Sequence, residues 1–136
     1  MKKILLFISL CLFLLSACGG ANNPTDSNQI STLAPVPAEY AGKANPLGSD
    51  GATEGATVFH NNCEVCHGVI GYGDGPAGQA LDPRPKNLAE LQAVASDDYL
   101  FWRINEGKPG TSMVAWKGVL TEEQIWQVVS FVRTLK

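Results

Sequence analysis

The 136 residues are enough for one domain, and 45% of them are apolar with 17% charged, which excludes an intrinsically disordered chain. Ten basic residues against 13 acidic ones give a net charge of −3 at pH 7. That balance excludes nucleic acid as a partner, because phosphate binding needs clustered positive charge, and it suits a basic patch on a partner protein better.

The chain opens with "MKKILLFISLCLFLLSA", in which Lys2 and Lys3 precede an apolar run broken only by Ser9. At 12 residues (4–15) the run is short for a bilayer span, so residues 1–17 are expected to be a signal peptide rather than an uncleaved anchor. "LSAC", residues 15–18, resembles the lipobox of bacterial lipoproteins, which implies that Cys18 is acylated and becomes the mature N-terminus. Several acyl chains would hold the protein firmly at a membrane, since each buried methylene contributes about 0.8 kcal/mol. The expected location is the outer, periplasmic or extracellular, face of a bacterial membrane. Cleavage removes Lys2, Lys3 and Cys11, leaving a net charge of −5 and, with Cys18 acylated, only Cys63 and Cys66 for chemistry. Two exported free thiols would ordinarily oxidise to a disulfide, so this pair needs another explanation.

Residues 19–50 are rich in Gly, Pro, Asn, Ser and Ala without helical or strand period. Residues 18–50 are therefore expected to form a lipidated N-terminus and flexible tether with a reach of roughly 30 Å. "AEYAGKANPL" is the part best suited to pack on the domain instead. The globular unit is then residues 51–136, small for a core without a staple, metal or cofactor. Three helices are expected in it. The first starts at Thr53 as N-cap and runs into Cys63; the second has Ser96 as N-cap, Asp97 and Asp98 in its first turn, and a stop at Gly107. The third opens with the capping box Thr121/Gln124 and repeats Ile125, Val128, Val129, Val132 and Leu135 at helical spacing. No alternating strand run appears, so the expected class is all-α.

Residues 61–81, "NNCEVCHGVIGYGDGPAGQAL", crowd two cysteines and a histidine beside many glycines. Zinc would need His60, Cys63, Cys66 and His67 to converge from within eight residues, which adjacent Cys66 and His67 oppose. A redox dithiol would need the C-x-x-C at the start of a helix after a strand, and here it ends a helical stretch. The formal G-x-G-x-x-G, Gly73 to Gly78, has no strand before it and holds Pro76, so it is no dinucleotide fingerprint. Its glycines are expected to let backbone pass close to a large flat ligand. What remains is C-x-x-C-H, the attachment signature of haem c: one haem bound through Cys63 and Cys66, with the imidazole of His67 on the iron.

A sixth ligand is an independent requirement. After cleavage Met113 is the only methionine, and it lies in a Gly/Pro-flanked loop rather than on an apolar helical face, so it is expected to be that ligand. The alternatives are His60, a lysine or an open position, but His60 lies only three residues before Cys63 and is poorly placed for the opposite haem face.

The chain resembles the class I c-type cytochromes over residues 51–136. "GATVFHNNCEVCHG" is similar to the family's N-terminal helix, "TEEQIWQVVSFVRTL" to its C-terminal helix, and "TSMVAWKGVL" to its methionine loop. The resemblance implies a small fold in which these two helices cross around one covalent haem, with Gly55 and Phe59 against Val128, Phe131 and Val132. It also implies a backbone carbonyl accepting the Nδ1 proton of His67, with Pro76 as first candidate and Pro83 or Pro85 as alternatives. Val114 stands where the family commonly has proline, which allows the methionine loop more backbone freedom. Trp102, Trp116 and Trp126 are expected to build an apolar pocket, and Arg84 is either a propionate partner or a solvated loop charge. The tether and later phrases are similar to monohaem lipoprotein subunits of respiratory complexes, that of bacterial alternative complex III among them. The implied function is transfer of single electrons between respiratory or photosynthetic redox proteins, without catalysis, as a subunit of a membrane complex. An independent lipid-anchored shuttle, or a small haem enzyme or gas sensor with a labile sixth ligand, are the alternatives.

Overall fold

The computed structural model describes residues 33–136. The expected signal peptide, Cys18 and the first part of the expected tether lie outside the described residues. Among the described residues there are five helices: α1 (Ala52–Asn62), α2 (Glu64–His67), α3 (Leu88–Val94), α4 (Asp97–Glu106) and α5 (Glu122–Val132), with a short 3-10 turn at Gly78–Ala80. They include no strand, only an isolated bridge between Lys117 and Leu120, in keeping with the all-α expectation.

The centre of the core is α5. Its capping box is complete: the Thr121 hydroxyl accepts from Gln124 N at 3.1 Å, and Gln124 Oε1 accepts from Thr121 N at 2.9 Å. The helical repeat then buries Ile125, Val128, Val129 and Val132, each contributing roughly 1.5–3 kcal/mol. α1 crosses α5 with backbone against backbone. At the crossing sits Gly55, where an added Cβ would lie 1.9 Å from the Gln127 carbonyl oxygen. One turn on, Phe59 packs on Phe131 with ring centroids 5.0 Å apart. The implied contact between terminal helices is present. α4 completes the core by stacking Phe101 on Trp126 at 4.2 Å, and it ends at Gly107 in a positive-φ conformation.

Three local features differ from expectation. α1 starts at Ala52 behind Gly51, without a side-chain cap, so Thr53 lies inside the first turn. Ser96 stands at the N-cap of α4 but bonds the Asp98 carboxylate instead of a backbone amide. α3 was not expected at all; Asn87 caps it by accepting from Ala89 N and Glu90 N, and "NLAE" carries an N-cap/N3 pair that marks it.

The largest difference is at the N-terminus. Residues 33–50, expected to be tether, form part of the same compact unit, Leu33–Lys136. Tyr40 is only 7% exposed, and Leu33, Val36 and Leu47 pack against the core. Asn45 Nδ2 donates to Ser130 Oγ at 2.8 Å and to Trp126 O at 3.3 Å, satisfying a buried hydroxyl on α5. Gly42 N donates to Asp98 Oδ2 at 2.8 Å. These residues make a strap across α4 and α5. Beside the strap, Arg133 ties α5 to the α3–α4 junction, donating to Asp97 Oδ1 at 2.6 Å and to Ala95 O at 2.8 Å, while Asn45 N donates to Asp97 Oδ2 at 3.3 Å.

Candidate functional site

α2 is one turn long, too short to be helical on its own. It is continued from α1 through Cys63, whose amide donates to Phe59 O at 2.7 Å and whose carbonyl accepts from His67 N at 2.9 Å. Cys63, Cys66 and His67 are therefore displayed on a single turn whose direction is set by the α1–α5 crossing. The other side of that turn is clamped by the glycine-rich loop. Gly73 N donates to His67 O at 2.8 Å and Ala77 N to Val65 O at 2.9 Å. A Cβ at Gly75 would lie 2.5 Å from Glu64 O, and one at Gly78 would lie 2.1 Å from Cys66 O. Gly75 and Gly78 are needed because they press on the carbonyls of α2.

Both thiols are free and half-buried. Burial, helped by the neighbouring Cys66, pushes the Cys63 thiol up to about 12. That is the reverse of what a redox dithiol needs, which is an easily formed thiolate. Burial likewise pushes the His67 imidazole below its ordinary pKa, so the ring is neutral and able to ligate a metal. The Lys86 backbone pulls the His67 pKa the other way yet falls short of a hydrogen bond: Nδ1 is buried and has no partner. The expected bond from Nδ1 to Pro76 is thus not formed. Pro76 is exposed, and the backbone that acts on His67 is that of Lys86, directly after Pro85.

His60 is also exposed and pairs with Glu64 Oε2 at 2.7 Å. It does not join Cys63, Cys66 and His67; among the described residues no group of three or more His, Cys, Asp or Glu is arranged to hold a metal ion.

Met113 is half-buried in the loop between α4 and α5. The neck of that loop is closed on the end of α4: Lys108 N donates to Met113 O at 2.9 Å, Trp116 N to Ile104 O at 3.1 Å and Lys117 N to Asn105 O at 3.0 Å. Gly107 is obligatory beneath it, since its φ is +69° and a Cβ there would lie 2.5 Å from Met113 O. The Thr111 hydroxyl accepts from Met113 N at 3.2 Å.

Trp126 belongs to the core, stacked on Phe101, and Trp102 and Trp116 are half-buried against that core, Trp102 beneath the Arg103 guanidinium, 3.7 Å from its ring centroid. Arg84 is exposed. Sequence reasoning missed the apolar surface beside both ligand segments: Val65, Val69 and Ile70 around α2, and Val114 next to Met113, are each at least 50% exposed. The unbroken pair Val69–Ile70 in a loop was the available signal.

The residues fit a covalently held porphyrin. Two free thiols and a neutral imidazole share one turn.

Residues 50–132 match the family described as cytochrome c oxidase, cbb3-type, subunit III. The chain is similar to cytochrome c6 of Parathermosynechococcus lividus, 35% identical over 78 residues, which is 57% of this chain and 83% of the relative. It is similar in structure to a chain of a reducing HAO-like protein complex from Kuenenia stuttgartiensis, with a TM-score of 0.55 and 32% identity; the match covers 60% of this chain and 40% of that one. A solved c-type cytochrome gives a TM-score of 0.50 at 34% identity, covering 60% of this chain and 96% of that one.

Proposed function

The chain belongs to the family of c-type cytochrome domains described as cytochrome c oxidase, cbb3-type, subunit III, and from that premise we propose that it is an exported, lipid-anchored, monohaem subunit of a membrane electron-transfer complex. Its fold is that of a small class I cytochrome c, and its haem c is held through Cys63 and Cys66. Haem bound there supplies a one-electron iron couple. His67 would provide one nitrogen ligand, fixed in direction by the turn it ends and by the glycine loop behind it. Met113 would provide the other, a soft thioether that would favour the reduced iron, and half-burial of both segments would disfavour the added charge of the oxidised state. With both positions filled by side chains the protein offers no place for a substrate, so the reading is a carrier that catalyses no reaction of its own. Cys18 carries the lipid, which sets the protein at the outer face of a bacterial membrane. The subunit role is supported by the family's description as an oxidase subunit and by the structural neighbour that sits in a protein complex.

The observation that carries the reading is α2 itself: C-x-x-C-H on one clamped turn, with both thiols free and the imidazole neutral. The test is carbon monoxide added to the reduced, haem-loaded protein. The expected outcome is no rapid spectral change in the natural protein and immediate binding in Met113→Ala. Rapid binding by the natural protein would replace the carrier with an enzyme or gas sensor.

A further inference from the structure

We infer that Tyr40, far from both ligand segments in sequence, is a positioning residue for the methionine ligand: it holds the end of α4 on which the Met113 loop closes. This rests on the reading of Met113 as an axial ligand. The strap brings the Tyr40 ring onto Phe101, with centroids 6.1 Å apart, and buries it to 7% exposure. Its hydroxyl accepts from Asn105 Nδ2 at 2.8 Å and donates to the Glu106 carboxylate. Asn105 Nδ2 also reaches Glu106 Oε1 at 3.0 Å, and Lys117 Nζ reaches that same oxygen at 3.3 Å.

Asn105 and Glu106 are the last two residues of α4, directly before the obligatory Gly107. Lys117 is on the returning limb of the loop, and its amide donates to Asn105 O at 3.0 Å. One hydroxyl from the strap therefore ties together, through two side chains, both limbs of the loop that carries Met113. Val114 and Ala115 are exposed, and Gly110 has nothing within 4 Å of where a Cβ would be. The tip has little packing of its own, so its position depends on the neck. Desolvation, together with the hydrogen bond to Glu106, raises the Tyr40 pKa, so the hydroxyl stays a donor throughout the ordinary pH range.

The measurement is imidazole titration of the oxidised, full-length, haem-loaded protein, followed by the far-red charge-transfer band of methionine-ligated ferric haem. Added imidazole takes the position of Met113 only when the loop swings away, so its apparent affinity scales with the open fraction. Tyr40→Phe, which keeps the ring and loses the hydroxyl, is expected to bind imidazole roughly tenfold more tightly, equivalent to about 1.4 kcal/mol. Glu106→Gln, which keeps the acceptor but loses its charge, is expected to shift in the same direction by less. If both variants melt at a lower temperature yet bind imidazole as the natural protein does, Tyr40 only stabilises the strap and the inference is overturned. Met113→Ala separates the two readings: a band absent from the natural protein, or one that survives this substitution, overturns the Met113 assignment and the inference with it. A band lost in Met113→Ala, with imidazole affinity unmoved in Tyr40→Phe, overturns the inference alone.

Discussion

His67 is held by backbone pressed against backbone, whereas Met113 is held by a few hydrogen bonds at the neck of an otherwise open loop. Behind α2, Gly75 and Gly78 approach its carbonyls closely enough to exclude any Cβ. Around Met113, only Gly107 is so constrained; Gly110 faces open space, and Val114 is 61% exposed. One segment is fixed by sterics, which admit no gradation, and the other by hydrogen bonds, which can be weakened one at a time. With Met113 as the proposed second ligand, a carrier built this way would keep its haem permanently and could still have that ligand adjusted from a distance.

Substitutions can break this comparison. The largest effect is expected for Gly78→Ala, whose new Cβ would lie 2.1 Å from Cys66 O. The clash should cost about 3 kcal/mol, with a fall in melting temperature of more than about 10 °C and a loss of haem-loaded protein, measured by thermal unfolding and the haem absorbance of the purified chain. Gly110→Ala, in the loop of Met113, should cost only about 1 kcal/mol, the strain of its φ of +76°, with the haem spectrum unchanged. Equal losses from the two substitutions would remove the distinction.

The smallest effect concerns pH and the strap. Bonds from the Ser96 hydroxyl and then the Gly42 amide hold the Asp98 carboxyl below its ordinary 3.8. A depressed pKa of this kind stabilises the fold above 3.8 and stops doing so as the pH falls through the folded value. Protection of the Gly42 amide, measured against the exchange rate of an unstructured amide at the same pH, should therefore fall on acidification below about pH 4 while the amides of α2 stay protected. Asp98→Asn should leave Gly42 protection far less sensitive to acid. Protection lost together at both places would mean the strap has no separate stability.

The three longer helices were legible because each has local punctuation: the run from Thr53 into Cys63, the acidic first turn after Ser96 with a stop at Gly107, and the Thr121/Gln124 capping box. Gly55 and Phe59 could be placed only through family resemblance, since nothing local to Gly55 shows the Gln127 carbonyl above it. The strap was legible only as a stretch, "AEYAGKANPL", suited to pack on the domain; where it packs was not, because the partners of Tyr40 and Asn45, namely Asn105, Glu106, Trp126 and Ser130, lie 60 or more residues away. The Pro76 expectation met the same limit: nothing local to the sequence shows that the backbone acting on His67 is that of Lys86, some twenty residues on.

The strap also decides where this protein can be cut. A shortened chain starting at residue 51, where composition would place the domain boundary, would lose Tyr40 and Asn45 and strip Ser130 of its side-chain donor in the middle of α5. Such a fragment would expose the Phe101 face and misreport both stability and ligand exchange. Starting at Leu33 keeps the whole compact unit.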